Sequence, residues 1–107
     1  MKIGIVLNTN DSEEVWNCLR FGNRALIERH HVKIFLLGKG VELEGIRSNK
    51  FDVKGQLNLF VENKGEILAC GTCLKLRHKK GSSICPISTM KDLLKLVEES
   101  NKVLTFG

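Results

Sequence analysis

The chain is poor in rings and in proline: its 107 residues include no tyrosine, one tryptophan and one proline. So few aromatics leave little for nucleic-acid bases to stack on, and nucleic acid is not an expected partner although the formal net charge is +5. The positive charge concentrates in Lys75, Arg77, Lys79 and Lys80, a short cluster that one solvated helix face can carry. No apolar run approaches the length of a membrane span, so no membrane association is expected. Met1 and Lys2 lead straight into an apolar strand pattern, which predicts no secretory leader and a cytoplasmic location. Internal repeats and low-complexity segments are missing. In a reducing compartment four cysteines do not read as a disulfide framework, and a Cys-x-x-Cys pair there points to catalysis or metal binding.

What is present is an alternation of strand-like and helix-like segments, the mark of βαβ units on a mostly parallel sheet. The length suits a single domain over residues 1–107. Ile3–Leu7 is continuously apolar, as in a strand covered on both faces. Asn8 to Asp11 then supply capping residues, and Glu13 and Glu14 open a helix running to about Arg29, with Val15, Leu19, Gly22 and Leu26 on its inner face. Those carboxylates occupy the position a bound phosphate would take. His30 and His31 end that helix at a connecting turn, where capping or solvent is their expected environment.

Val32–Leu37 reads as the second strand, ended by Gly38-Lys39-Gly40. With neither a dinucleotide fingerprint nor a Walker pattern, these glycines read as a turn and not as a phosphate loop. Val41 to Asn49, with Glu42 and Glu44, reads as a loop or a short helical turn. Val53, Leu57, Phe60 and Val61 predict a second helix ending near Gly65. Glu66–Cys70 is the third strand, with a helix from Thr72 to about Lys79. Ser82–Cys85 reads as a short fourth strand stopped by Pro86. Thr89-Met90-Lys91-Asp92 resembles a capping box that opens a last helix through Glu99, with Met90, Leu93, Leu94 and Val97 as its buried stripe. Lys102–Phe106 is a fifth strand.

The chemistry concentrates in Ala69-Cys70-Gly71-Thr72-Cys73, where a strand meets a helix. Ligands of α/β folds gather at the carboxyl ends of strands, and nearby N–H groups together with Lys75, Arg77 and His78 favour a Cys70 thiolate. Cys73, three residues on, shares a helix face with Cys70; it either resolves a modified Cys70 or fills a small-residue slot. Cys85 precedes Pro86 near the same expected rim and is a candidate third thiol. Cys18 falls on the inner face of the first helix and reads as core. Cys70, Cys73, His78 and Cys85 match the ligand count of a zinc site, but the paired turn of a zinc ribbon is not repeated. A thioredoxin motif would follow the first strand of its core, with a proline-bearing loop later; here the motif follows the third strand. No cofactor and no metal is expected.

Lys2–Asn8, Val32–Gly38, Ile67–Arg77 and Ser100–Phe106 together resemble the DsrE/DsrF-like family. The resemblance implies a three-layer α/β/α sandwich with a mostly parallel sheet of about five strands, and a small sulfur carrier working in a homo- or hetero-oligomer. It implies that Cys70 matches the cysteine accepting sulfane sulfur as a persulfide, for transfer from a donor protein to an acceptor protein of a relay. Whether such a carrier counts as a sulfurtransferase enzyme stays open. Cys73 stands where relay subunits often have a small residue, and Arg77 is followed by His78 where their helix tends to end in Arg-Gly. Two other readings remain: a non-enzymatic interaction module, and a thiol-disulfide redox protein using Cys70 and Cys73.

Overall fold

The continuous apolar runs become interior strands. A computed structural model of residues 1–107 pairs β1 (Lys2–Leu7) with β2 (His31–Leu36) in parallel, from Lys2 opposite His31 to Leu7 opposite Leu36. β3 (Glu66–Cys70) lies beside β2, with Leu36 opposite Ala69, and β4 (Ile87–Ser88) lies beside β3. β5 (Lys102–Phe106) pairs with the other side of β1. The sheet order is therefore β4-β3-β2-β1-β5, with every pairing parallel. All the strands thus end at one edge of the molecule.

Four α-helices connect them: α1 (Ser12–Ile27), α2 (Val53–Glu62), α3 (Gly71–Leu76) and α4 (Met90–Glu99). Three successive crossovers step the same way along the sheet, so right-handed connection puts α1 to α3 on one face. The fourth returns across the sheet to β5, which puts α4 on the opposite face. Side chains agree with this division. Gly22 of α1 faces Phe60 of α2 and Val32, whereas Gly4, of opposite parity to Ile3 and Ile5, faces Leu96 of α4 and Ser100, the residue that caps its end. The result is the expected α/β/α layering. Its core is built from Ile5, Leu7, Leu19, Ile34, Phe35 and Phe60, all fully buried.

Caps follow the sequence signals. Asp11 caps α1 by accepting from the Glu14 N–H at 3.0 Å. At α4, the Thr89 N–H donates to Asp92 Oδ2 at 2.8 Å, completing the capping box and, with this bond as the main cause, holding the Asp92 carboxyl below its usual range.

Several boundaries depart from expectation. α1 ends at Ile27 and not at Arg29, since Arg29 turns left-handed at φ 71°. Residues Gly38–Gly45 form a 3₁₀ segment, more regular than a turn followed by a loop. α3 stops at Leu76, because His78 takes φ 53° where the last turn closes. The fourth strand follows Pro86 instead of preceding it: Ser82–Cys85 forms a turn in which the Ser82 N–H donates to the Cys85 carbonyl at 3.1 Å, and the Ala69 N–H takes the Pro86 carbonyl at 2.9 Å.

α4 supplies the largest correction. Leu96 is buried and Leu93 packs partly against the core, but Met90 and Leu94 are each 58% exposed and Val97 is also exposed. The helix rests on the sheet through Leu96 over Gly4, which rotates the Met90-Leu94-Val97 stripe outward.

The seat of α4 depends on the missing side chain at position 4, where a Cβ would run into Leu96 Cδ2 and Ser100 Oγ. Gly4→Val should destabilise the fold by about 1–3 kcal/mol through overpacking, read as a lower denaturant midpoint at unchanged slope.

Candidate functional site

The turn from β3 into α3 is built on Cys70. This residue ends the strand with φ −57° and ψ 116°, and its Sγ accepts the Cys73 N–H at 3.4 Å, the part a Ser or Asp side chain plays at other helix starts. α3 has only six residues, so it is this local N–H, more than a summed macrodipole, that turns a positive dipole end toward the sulfur. Cys70 is 3% exposed. It nevertheless lines an open groove of about 410 Å³, together with Thr72, Lys75, Ile87, Ser88 and Met90. The groove lies between the first turns of α3 and α4.

Cys73 faces away from that groove. Its Sγ accepts the backbone N–H of Gly38 at 3.2 Å, from the turn that follows β2. Gly38 has φ 55°, a left-handed conformation suited to glycine. The Cys73 thiol is pushed up from its ordinary range by burial first, then by donating its hydrogen to Cys70, while the Gly38 N–H and the Arg77 charge pull it down. A negative Cys70 also opposes a second charge on Cys73.

Arg77 ties this turn to the 3₁₀ segment. Its Nη1 donates to the Cys73 carbonyl at 3.2 Å and its Nε to Glu42 Oε2 at 3.0 Å. Hydrogen bonds from Asn10 and then from Arg77 hold the Glu42 carboxyl below its usual range. Of the three cations expected around the thiols, Lys75 lines the groove, Arg77 acts on Cys73, and His78 stands exposed in the turn after α3. The basic cluster is thus not one solvated helix face, since Arg77 is half-buried in an ion pair and Lys79 and Lys80 lie beyond the helix.

The other two cysteines lie elsewhere. Cys18 is fully enclosed on α1, and burial pushes its thiol up to about 12. Cys85 is also buried, and its thiol is pushed up to about 12, by burial and then by the Glu44 carboxylate to which it hydrogen-bonds. Ser82 Oγ accepts the Cys85 N–H at 2.9 Å and also binds Glu44. Cys85 does not line the Cys70 groove. All four cysteines are free thiols, and no group of three or more His, Cys, Asp or Glu side chains is placed to hold a metal ion. No helix is long and apolar enough to cross a membrane.

The model of the DsrE/DsrF-like family matches residues 1–106. The chain belongs to this family. Membership supports a role of the sulfur-relay type in general. Among relatives, the MJ0989 protein of Methanocaldococcus jannaschii is 35% identical over 100 residues, covering 88% of each chain. The MK0008 protein of Methanopyrus kandleri is 36% identical over 100 residues, covering 88% of this chain and 83% of that one. Among solved structures, the ychN protein of E. coli superimposes with a TM-score of 0.84 over 99% of both chains at 25% identity. The family fold is therefore the fold described above.

Sequence reasoning located both thiols of this turn but not their partners. Gly38 was legible as the end of the second strand; adjacent parallel strands end side by side, so its turn had to approach the one after β3. The Glu42–Arg77 and Glu44–Cys85 contacts carry no such signal, because they join the 3₁₀ segment to residues far along the chain with no periodic pattern linking the two.

In the native protein near pH 8, alkylation should reach Cys70 and Cys73 while Cys18 and Cys85 react only after unfolding, as counted by intact mass before and after denaturant. A raised folded pKa is linked to stability that is fully present below the unfolded thiol value of 9.0 and lost as pH climbs toward about 12. Unfolding midpoints should accordingly fall across that window, and less steeply in Cys18→Ala.

Proposed function

We propose that the protein is a small sulfur carrier that accepts sulfane sulfur as a persulfide on Cys70 and passes it to the thiol of a partner. The observation that carries this reading is the setting of Cys70: the residue lines an open groove at the carboxyl ends of the strands while a backbone N–H points at its sulfur from within. A thiolate there attacks the outer sulfur of a donor persulfide, forming the new S–S bond as the donor thiolate departs. Lys75, at the groove wall, offers the charge that an anionic persulfide needs. An acceptor thiolate then takes the outer sulfur and leaves Cys70 as a thiolate. No redox cofactor or metal takes part in either transfer. The reading places the protein in a reducing cytoplasm, in keeping with four free thiols, two of them enclosed.

The carrier works as an oligomer of its own copies. Supporting this, the outward stripe of α4 is apolar, and β5, an edge strand, leaves Val103 and Leu104 exposed. Val103 pairs with Gly4 and so lies on the same face of the sheet as α4.

Cys70→Ser should abolish sulfur loading from inorganic polysulfide with the fold intact, whereas the unaltered chain, alkylated soon after mixing, should carry one added sulfur mapped to Cys70 by peptide mass spectrometry. Loading retained on the serine variant would refute the assignment. Leu94→Lys should shift the protein toward monomer in sedimentation velocity, with an unchanged circular dichroism spectrum.

A further inference from the structure

We propose that Cys73 is a resolving thiol that attacks the Cys70 persulfide and expels its outer sulfur as hydrosulfide, so that the carrier has a built-in reductive exit. The inference rests on the assignment of the persulfide to Cys70. What the structure adds is the position of Cys70 between two different spaces. On one side is the groove, lined by Lys75, Ile87 and Met90, where an outer sulfur bound to Cys70 has room. On the other is Cys73, which is not part of the groove lining and whose sulfur is held by the Gly38 N–H at 3.2 Å.

Displacement at a divalent sulfur runs in line: the nucleophile enters opposite the bond that breaks. A nucleophile behind Cys70 and a leaving sulfur in the groove ahead of it fulfil that requirement. The two residues are already joined, since the Cys73 N–H donates to Cys70 Sγ at 3.4 Å. Gly38 is a positioning residue here, fixing the rotamer of Cys73 from the neighbouring strand end. Arg77 holds the Cys73 carbonyl and is itself held by Glu42, so the turn keeps its shape.

The step balances within the protein. The bond from Cys73 Sγ to Cys70 Sγ forms, and the bond from Cys70 Sγ to the outer sulfur breaks. The outer sulfur departs with the bonding pair and takes up the proton that Cys73 loses, leaving as hydrosulfide. It is reduced by two electrons as the two cysteines are oxidised to a disulfide. A low-molecular-weight or protein dithiol then returns the pair to thiols. An acceptor thiol that arrives first receives the sulfur; otherwise Cys73 discharges it.

The test follows sulfide release and intact mass over time after loading with inorganic polysulfide and removal of excess, in the unaltered chain, Cys73→Ser and Cys73→Ala. The unaltered chain should release sulfide without added thiol and end two hydrogens lighter than its reduced form, with the link mapped to Cys70 and Cys73. Both variants should keep one added sulfur on Cys70, with release slower by at least about tenfold because the attacking group is no longer intramolecular. Equal release rates in all three proteins would overturn the inference. So would a lasting Cys70 persulfide in the unaltered chain, which would leave the carrier reading standing. Failure of all three to gain sulfur at Cys70 would overturn both.

Discussion

The parallel pairing of β2 with β3, with Leu36 opposite Ala69, decides where every group of the thiol site can stand. Because both strands run the same way, the turn after β2 and the turn after β3 come to the same edge of the sheet. The first presents the Gly38 N–H and the second presents Cys73. An antiparallel pairing would have put those turns at opposite ends of the molecule. Only then does the local geometry of the Cys70 turn matter, since a Cys-x-x-Cys pair alone specifies neither a second N–H donor nor a groove. The site is a property of two crossovers meeting where each leaves its strand.

Four residues of one type occupy four environments, and burial alone does not rank them. Cys18, Cys70 and Cys85 are all nearly inaccessible, and burial holds the thiols of Cys18 and Cys85 well above their ordinary range. The difference lies in what points at each sulfur. Cys18 has burial alone acting on it, Cys85 has a carboxylate beside it, and Cys70 accepts a backbone N–H. A hydrogen-bond donor aimed at a buried sulfur works against the desolvation that disfavours a thiolate, and a carboxylate works with it.

Elements with strong local signals could be read directly from the chain. β3 and β5 occur with the expected boundaries, and the Thr89 capping box opens α4 where the spacing predicted. Failures gathered where a local pattern was ambiguous about its surroundings. The Met90-Leu94-Val97 stripe has helical spacing, but spacing says only that a face is apolar and not that the same chain covers it. Ser82–Cys85 has apolar and β-branched character enough for a strand, but the pairing passes to Ile87–Ser88 because the Pro86 carbonyl is the first group in line with Ala69. At the site, the thiols and the glycine turn were each visible, while their contact needed the strand order.

The single proline also has a consequence for the sheet as a whole. β4 is a two-residue border that begins just after Pro86, a residue with no N–H to offer, so this margin is a poor template for a further strand. The opposite margin, β5, is five residues long and carries no such block. The sheet is therefore receptive on one flank only. Two copies that met along β5 would satisfy each other's backbone groups and leave only the proline-bordered flanks free, so a union by that route would end at a pair.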